Sequence, residues 1–94
     1  MATLIKATGK TELVSPQNGK AFGLPELQAF VGGYIEALRL WDGRIMWINE
    51  DGKRKQLPMN LVASEIAWKC TGIAPDDCIV GNVLIASKQE SGEE

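Results

Sequence analysis

The chain predicts an α+β domain: a mainly antiparallel sheet of about five or six strands with two helices packed on one face. Three observations carry this. Two Asp-Gly pairs, Asp42-Gly43 and Asp51-Gly52, each separate runs of β-formers and mark hairpin turns. Apolar residues recur at helical spacing between Met59 and Cys70, and an apolar, β-branched-rich run fills Cys78 to Ala86.

Taken in order, Thr3 to Ala7 and Thr11 to Ser15 flank Thr8-Gly9-Lys10 as a short hairpin. Turn formers occupy Ser15 to Lys20. Leu24-Pro25-Glu26 then opens a helix, with proline in its first turn and an acid beside it; Leu27, Phe30 and Val31 make its apolar face and Gly32-Gly33 ends it. So short a helix needs a sheet to dock on.

Tyr34 to Trp41, Arg44 to Asn49 and Lys53 to Leu57 read as a three-stranded meander, with Pro58 as its stop. A two-residue turn at Asp42-Gly43 sets Trp41 opposite Arg44, Leu38 opposite Trp47 and Glu36 opposite Asn49; the second turn sets Asn49 opposite Arg54. One face then carries Tyr34, Glu36, Leu38, Leu40, Ile45, Trp47, Asn49, Arg54 and Gln56. The other carries the more continuous apolar group of Ile35, Ala37, Met46, Ile48 and Leu57, and the helices are expected there.

Asn60 is a suitable N-cap for a second helix through Lys69 or Cys70, with Gly72 as the stop. Met59, Val62, Ala63, Ile66, Ala67 and Cys70 form its amphipathic stripe. Leu61 and Trp68 project from the other side, as a partner interface would, although a tail or loop folded over them accounts for them equally. Cys78 to Ala86 is long and apolar enough to be a central strand buried on both faces, with Gly81 marking a bulge or a close backbone approach.

Composition narrows the function. With 94 residues, 45% hydrophobic and 23% charged, the chain is one folded domain, assigned to residues 1–87. Residues 88–94 read as a disordered acidic tail holding Glu90, Glu93 and Glu94. Without those three acids, ten Lys and Arg face nine Asp and Glu, so the body is no bulk nucleic-acid binder. A domain this small has a thin stability margin, and self-association is expected, through Leu61 and Trp68 on the outward side of the second helix. There is no histidine, and two cysteines, Cys70 and Cys78, fall short of a zinc site; no cofactor, metal or catalytic residue is assigned, and the chain is expected not to be an enzyme. Free thiols, no signal peptide and no run of about 20 apolar residues point to the cytoplasm and away from membranes.

The basic cluster Lys53-Arg54-Lys55, with Arg39 and Arg44, suits a phosphate, but it shares the meander with Glu36, Asp42, Glu50 and Asp51, so a self-neutralised surface is the simpler reading. A local site remains: Tyr34, Glu36, Trp47, Asn49 and Arg54 on one face combine aromatic planes with amide, acid and guanidinium groups, which suits a nucleotide-like ligand.

Val31-Gly32-Gly33-Tyr34-Ile35-Glu36, Asn49-Glu50-Asp51-Gly52-Lys53, Leu57 to Ala63 and Ile79 to Ile85 together resemble an uncharacterised small domain family found mainly in bacteriophages and mobile elements. The resemblance covers roughly residues 20 to 86 and transfers no catalytic residue. The context it implies is phage counter-defence in the host bacterial cytoplasm: a homo-oligomer that binds and sequesters a small anionic nucleotide-like signalling molecule. The alternative is an adaptor or inhibitor of a host protein acting through Leu61 and Trp68.

Overall fold

A computed structural model of the chain describes residues 1–93. The strands are β1 (Ala2–Ile5), β2 (Thr11–Val14), β3 (Ile35–Arg39), β4 (Ile45–Asn49) and β5 (Val83–Ala86); the helices are α1 (Leu24–Val31) and α2 (Leu61–Cys70). The fold is α+β, with one five-stranded sheet in the order β2-β1-β5-β4-β3 and every pairing antiparallel. The last apolar run supplies the middle strand, and all four of its residues are buried.

The sequence places both helices on one face of the sheet; the structure divides them between the two faces. Leu27 of α1 and Phe22 before it close over Ala2, Leu4, Ile45, Trp47, Leu84 and Ala86. Ala63 and Ala67 of α2 pack with Ile5, Met46, Val83 and Ile85 on the opposite side. The reason lies in β4 and β5, which are apolar at successive positions and leave two oily faces needing cover.

Hairpin geometry accounts for a second correction. The β3–β4 loop has three residues, closed by Leu40 N–H to Arg44 C=O (2.9 Å) and by Gly43 N–H to Leu40 C=O (3.0 Å). Gly43 has φ +93° whereas Asp42 stays at negative φ, so the pair forms a turn followed by a glycine bulge rather than a turn with two left-handed residues. Register shifts by one: Ile35 opposes Asn49, Glu36 opposes Ile48 and Ala37 opposes Trp47. Since side chains alternate, that single step exchanges the faces of β3 relative to β4.

The third meander strand does not form. Both edges of β4 are taken, by β3 and β5. The segment 51–57 coils instead through Lys55 N–H to Asp51 C=O (2.9 Å) and Leu57 N–H to Gly52 C=O (3.0 Å). The expected strand from Cys78 is likewise shorter, beginning at Val83 after a bridge between Met59 and Val80. Gly81 separates the two with φ +76°, and a β-carbon there would stand 2.8 Å from Leu57 Cδ1, so backbone and side chain approach closely at this point.

Asn60 ties these parts together. Fully buried, it caps α2 by accepting from Ala63 N–H (3.0 Å) and donates its amide to the carbonyls of Ile5 (3.0 Å) and Gly81 (2.9 Å). One turn on, Ser64 Oγ accepts from Ile79 N–H at 2.8 Å. The buried side of α2 is therefore centred on Ala63, Ser64 and Ala67, while Met59 and Val62, counted in the expected stripe, are exposed.

Residues 88–93 were expected to fray, yet they fold back across the α1 side; Glu94 lies outside the described residues. Glu90 C=O accepts from Phe22 N–H (2.7 Å), Ser91 Oγ accepts from the Trp47 indole (3.0 Å), and Glu93 grips Arg39 through two bonds of 2.5 and 2.9 Å. The hydrogen bond and charge of Arg39 hold the Glu93 carboxyl below its ordinary value. Its contribution is thus complete above the ordinary carboxylate range and is lost as pH falls through the depressed value. Acidification is expected to loosen the tail before the sheet, seen by NMR hydrogen exchange as a fall in Phe22 amide protection while β5 amides stay protected. Simultaneous loss at both places would contradict this.

Candidate functional site

Two depressions beside the coiled segment 51–57 are lined by charged side chains. The first is a cleft of about 280 Å³ between β3, β4, that segment and the loop after α2. Leu38, Ile48, Ile73 and Ile79 give it an apolar floor. Lys53 and Asp77 join in an ion pair across it, which holds the Lys53 ammonium above and the Asp77 carboxyl below their ordinary values. Arg54 pairs with Asp51 at 3.1 Å. Glu36 and Glu50 also line it, so four carboxylates face two cations and the cleft does not favour an anion.

The second is shallower, about 360 Å³, lined by Gln28, Gly33, Tyr34, Asp51, Arg54 and Lys55. Tyr34 is 66% exposed there. Lys55 lies by the C-terminal end of α1, where free carbonyl ends favour a cation; a β-carbon on Gly33 would stand 3.1 Å from its Nζ. Two cations against one acid beside an exposed phenol ring make this the more suitable place for an aromatic anion.

Of the five residues assigned to one site, Tyr34 and Arg54 meet in this depression. Glu36, Asn49 and Arg54 border the acidic cleft. Asn49 is 5% exposed, with its amide committed to Val31 C=O (3.1 Å) and its oxygen to Asp51 N–H (2.8 Å). Trp47 is 8% exposed beneath α1 and belongs to the core, on the opposite face from Glu36. The one-residue register step separates them. Gln28 and Asp77 were not anticipated as lining residues, and Lys53 and Lys55 only as members of the basic cluster; no spacing in the chain links Lys53 to Asp77 or Gln28 to Lys55.

Of the two outward residues on α2, Leu61 is 54% exposed, whereas Trp68 is half-buried and donates its indole N–H to Asp77 C=O at 2.8 Å, holding the loop that walls the cleft. Cys70 and Cys78 are free thiols. Among the described residues no cluster of three or more His, Cys, Asp or Glu is arranged for a metal, and no helix is long and apolar enough to cross a membrane.

A family model described as a domain of unknown function, DUF3846, matches residues 1–94. The chain belongs to the DUF3846 family. The resemblance to an uncharacterised domain family therefore holds at that level, and the match runs the whole length of the chain. No curated protein and no solved structure matches this DUF3846 chain.

Proposed function

We propose that this DUF3846 chain is a non-enzymatic binding protein that holds a small anionic nucleotide-like molecule in the depression formed by Tyr34, Arg54, Lys55 and Gln28. The exposed Tyr34 ring beside two cations is the observation that carries the reading. A base stacks on the ring, Arg54 and Lys55 meet the phosphate, and Gln28 offers an amide to the base or sugar. Glu36, Trp47 and Asn49 drop out of the contact set. In the phage and mobile-element setting of the resemblance, such a protein works as a homo-oligomer in the host bacterial cytoplasm, sequestering a signalling nucleotide as a counter-defence factor.

Calorimetric titration against mono-, di- and cyclic nucleotides tests it. Tyr34→Ala and Arg54→Ala are each expected to weaken binding on the order of tenfold or more, with the ligand recovered intact by chromatography. Silence across the panel rejects the reading; recovery of a cleaved ligand rejects its non-enzymatic part.

An adaptor role is favoured by a separate observation: Met59, Leu61 and Val62 expose apolar surface together at the start of α2. Trp68 contributes less to such a surface than expected, because its indole is tied to the loop. Native mass spectrometry of protein purified from bacteria separates the readings, a retained small mass favouring the ligand and a retained protein the adaptor.

A further inference from the structure

β3 is an edge strand, and its outer side is open. Glu50 N–H to Tyr34 C=O and Leu40 N–H to Arg44 C=O, both 2.9 Å, fix which residues of β3 bond to β4. By antiparallel alternation, the backbone groups of Ile35, Ala37 and Arg39 point away from β4. Among the described residues no other segment bonds them. The next outward group, Trp41 N–H, is taken by Cys70 C=O at 2.7 Å, which closes the edge at that end. Tyr34 and Trp41, 66% and 74% exposed, flank the strand.

We propose that β3 pairs antiparallel with β3 of a second copy about a twofold axis at Ala37, joining two sheets into one of ten strands. The occupant is a second copy because the strand is complementary to itself in one register. Centring on Ala37 matches Ile35 with Arg39 and Glu36 with Leu38 of the other copy, so no like charges face each other. Centring on Glu36 opposes two carboxylates. Centring on Leu38 requires the Trp41 backbone, which Cys70 already holds. Open backbone groups of this kind are a template for strand addition, and an isologous twofold contact satisfies both copies at once. The pairing needs no ligand and shares with the proposed function only self-association, whose interface it places on β3 rather than on α2.

Sedimentation of the full chain at micromolar concentration is expected to give a dimer. Ala37→Pro removes an outward donor at an edge position where proline is tolerated, and is expected to give a monomer. In a background with Cys70 and Cys78 changed to Ser, Ala37→Cys is expected to cross-link to itself on oxidation, whereas Ile35→Cys, which faces Arg39, is not. Should Ala37→Pro fail to fold, the cysteine pair decides. A wild-type monomer, a dimer that Ala37→Cys does not cross-link, or a dimer abolished by Leu61→Glu and unchanged by Ala37→Pro would each overturn the pairing.

Discussion

Replacing Asn60 with alanine is expected to lower stability by about 3–5 kcal/mol, a large share of the roughly 5–15 kcal/mol of a small domain. The α2 cap accounts for about 0.5–2 kcal/mol. The remainder comes from the carbonyls of Ile5 and Gly81, which lose their shared donor where water does not reach; each such group costs about 1–3 kcal/mol, reduced where the site relaxes. Two further variants divide these shares. Asn60→Ser keeps a capping oxygen without the amide and recovers only the cap's part. Asn60→Asp keeps the cap but turns a carboxylate toward two carbonyls, and is expected to be no better than alanine. Equilibrium urea unfolding measures all three. A cost for Asn60→Ala below about 1 kcal/mol would show that the three-way junction does not hold α2 to the sheet.

Asn60 shows what was readable and what was not. Its role as an N-cap follows from local sequence, as do the α1 opening at Leu24-Pro25, the β1–β2 and β3–β4 turn positions and the burial of the last strand, because each depends on a few adjacent residues. Its bonds to Ile5 and Gly81 join positions 55 and 21 residues away, and nothing local announces them. The expected grouping of Glu36 with Trp47 turned on a narrower point. Asp42-Gly43 does mark the turn, but two-residue and three-residue loops both accept that pair, and the choice between them decides whether Glu36 shares a face with Trp47. Third-strand formation depended on whether β4 had a free edge, which only the position of β5 settles. The contacts of the tail were not legible because its side chains are polar; it is held by hydrogen bonds and an ion pair to distant partners rather than by apolar burial.

Trp47 is where that register step has the largest measurable consequence. A tryptophan stacking on a ligand at the surface would be dispensable for folding, so Trp47→Ala would abolish binding and leave the unfolding midpoint nearly unchanged. Buried beneath α1 against Leu84, with its indole N–H on Ser91, it is instead expected to cost about 3–5 kcal/mol when truncated. Trp47→Phe retains most of the apolar contact and loses the bond to Ser91, worth about 0.5–1.5 kcal/mol, plus part of the packing. It is therefore expected to remain folded and to bind any nucleotide that the wild type binds, with affinity unchanged within error. Urea unfolding combined with calorimetry on Trp47→Phe, and on Trp47→Ala at a temperature where its folded fraction is known, separates the two roles. A Trp47→Ala chain as stable as the wild type but unable to bind would return this residue to the ligand site and displace the Tyr34 depression as its centre.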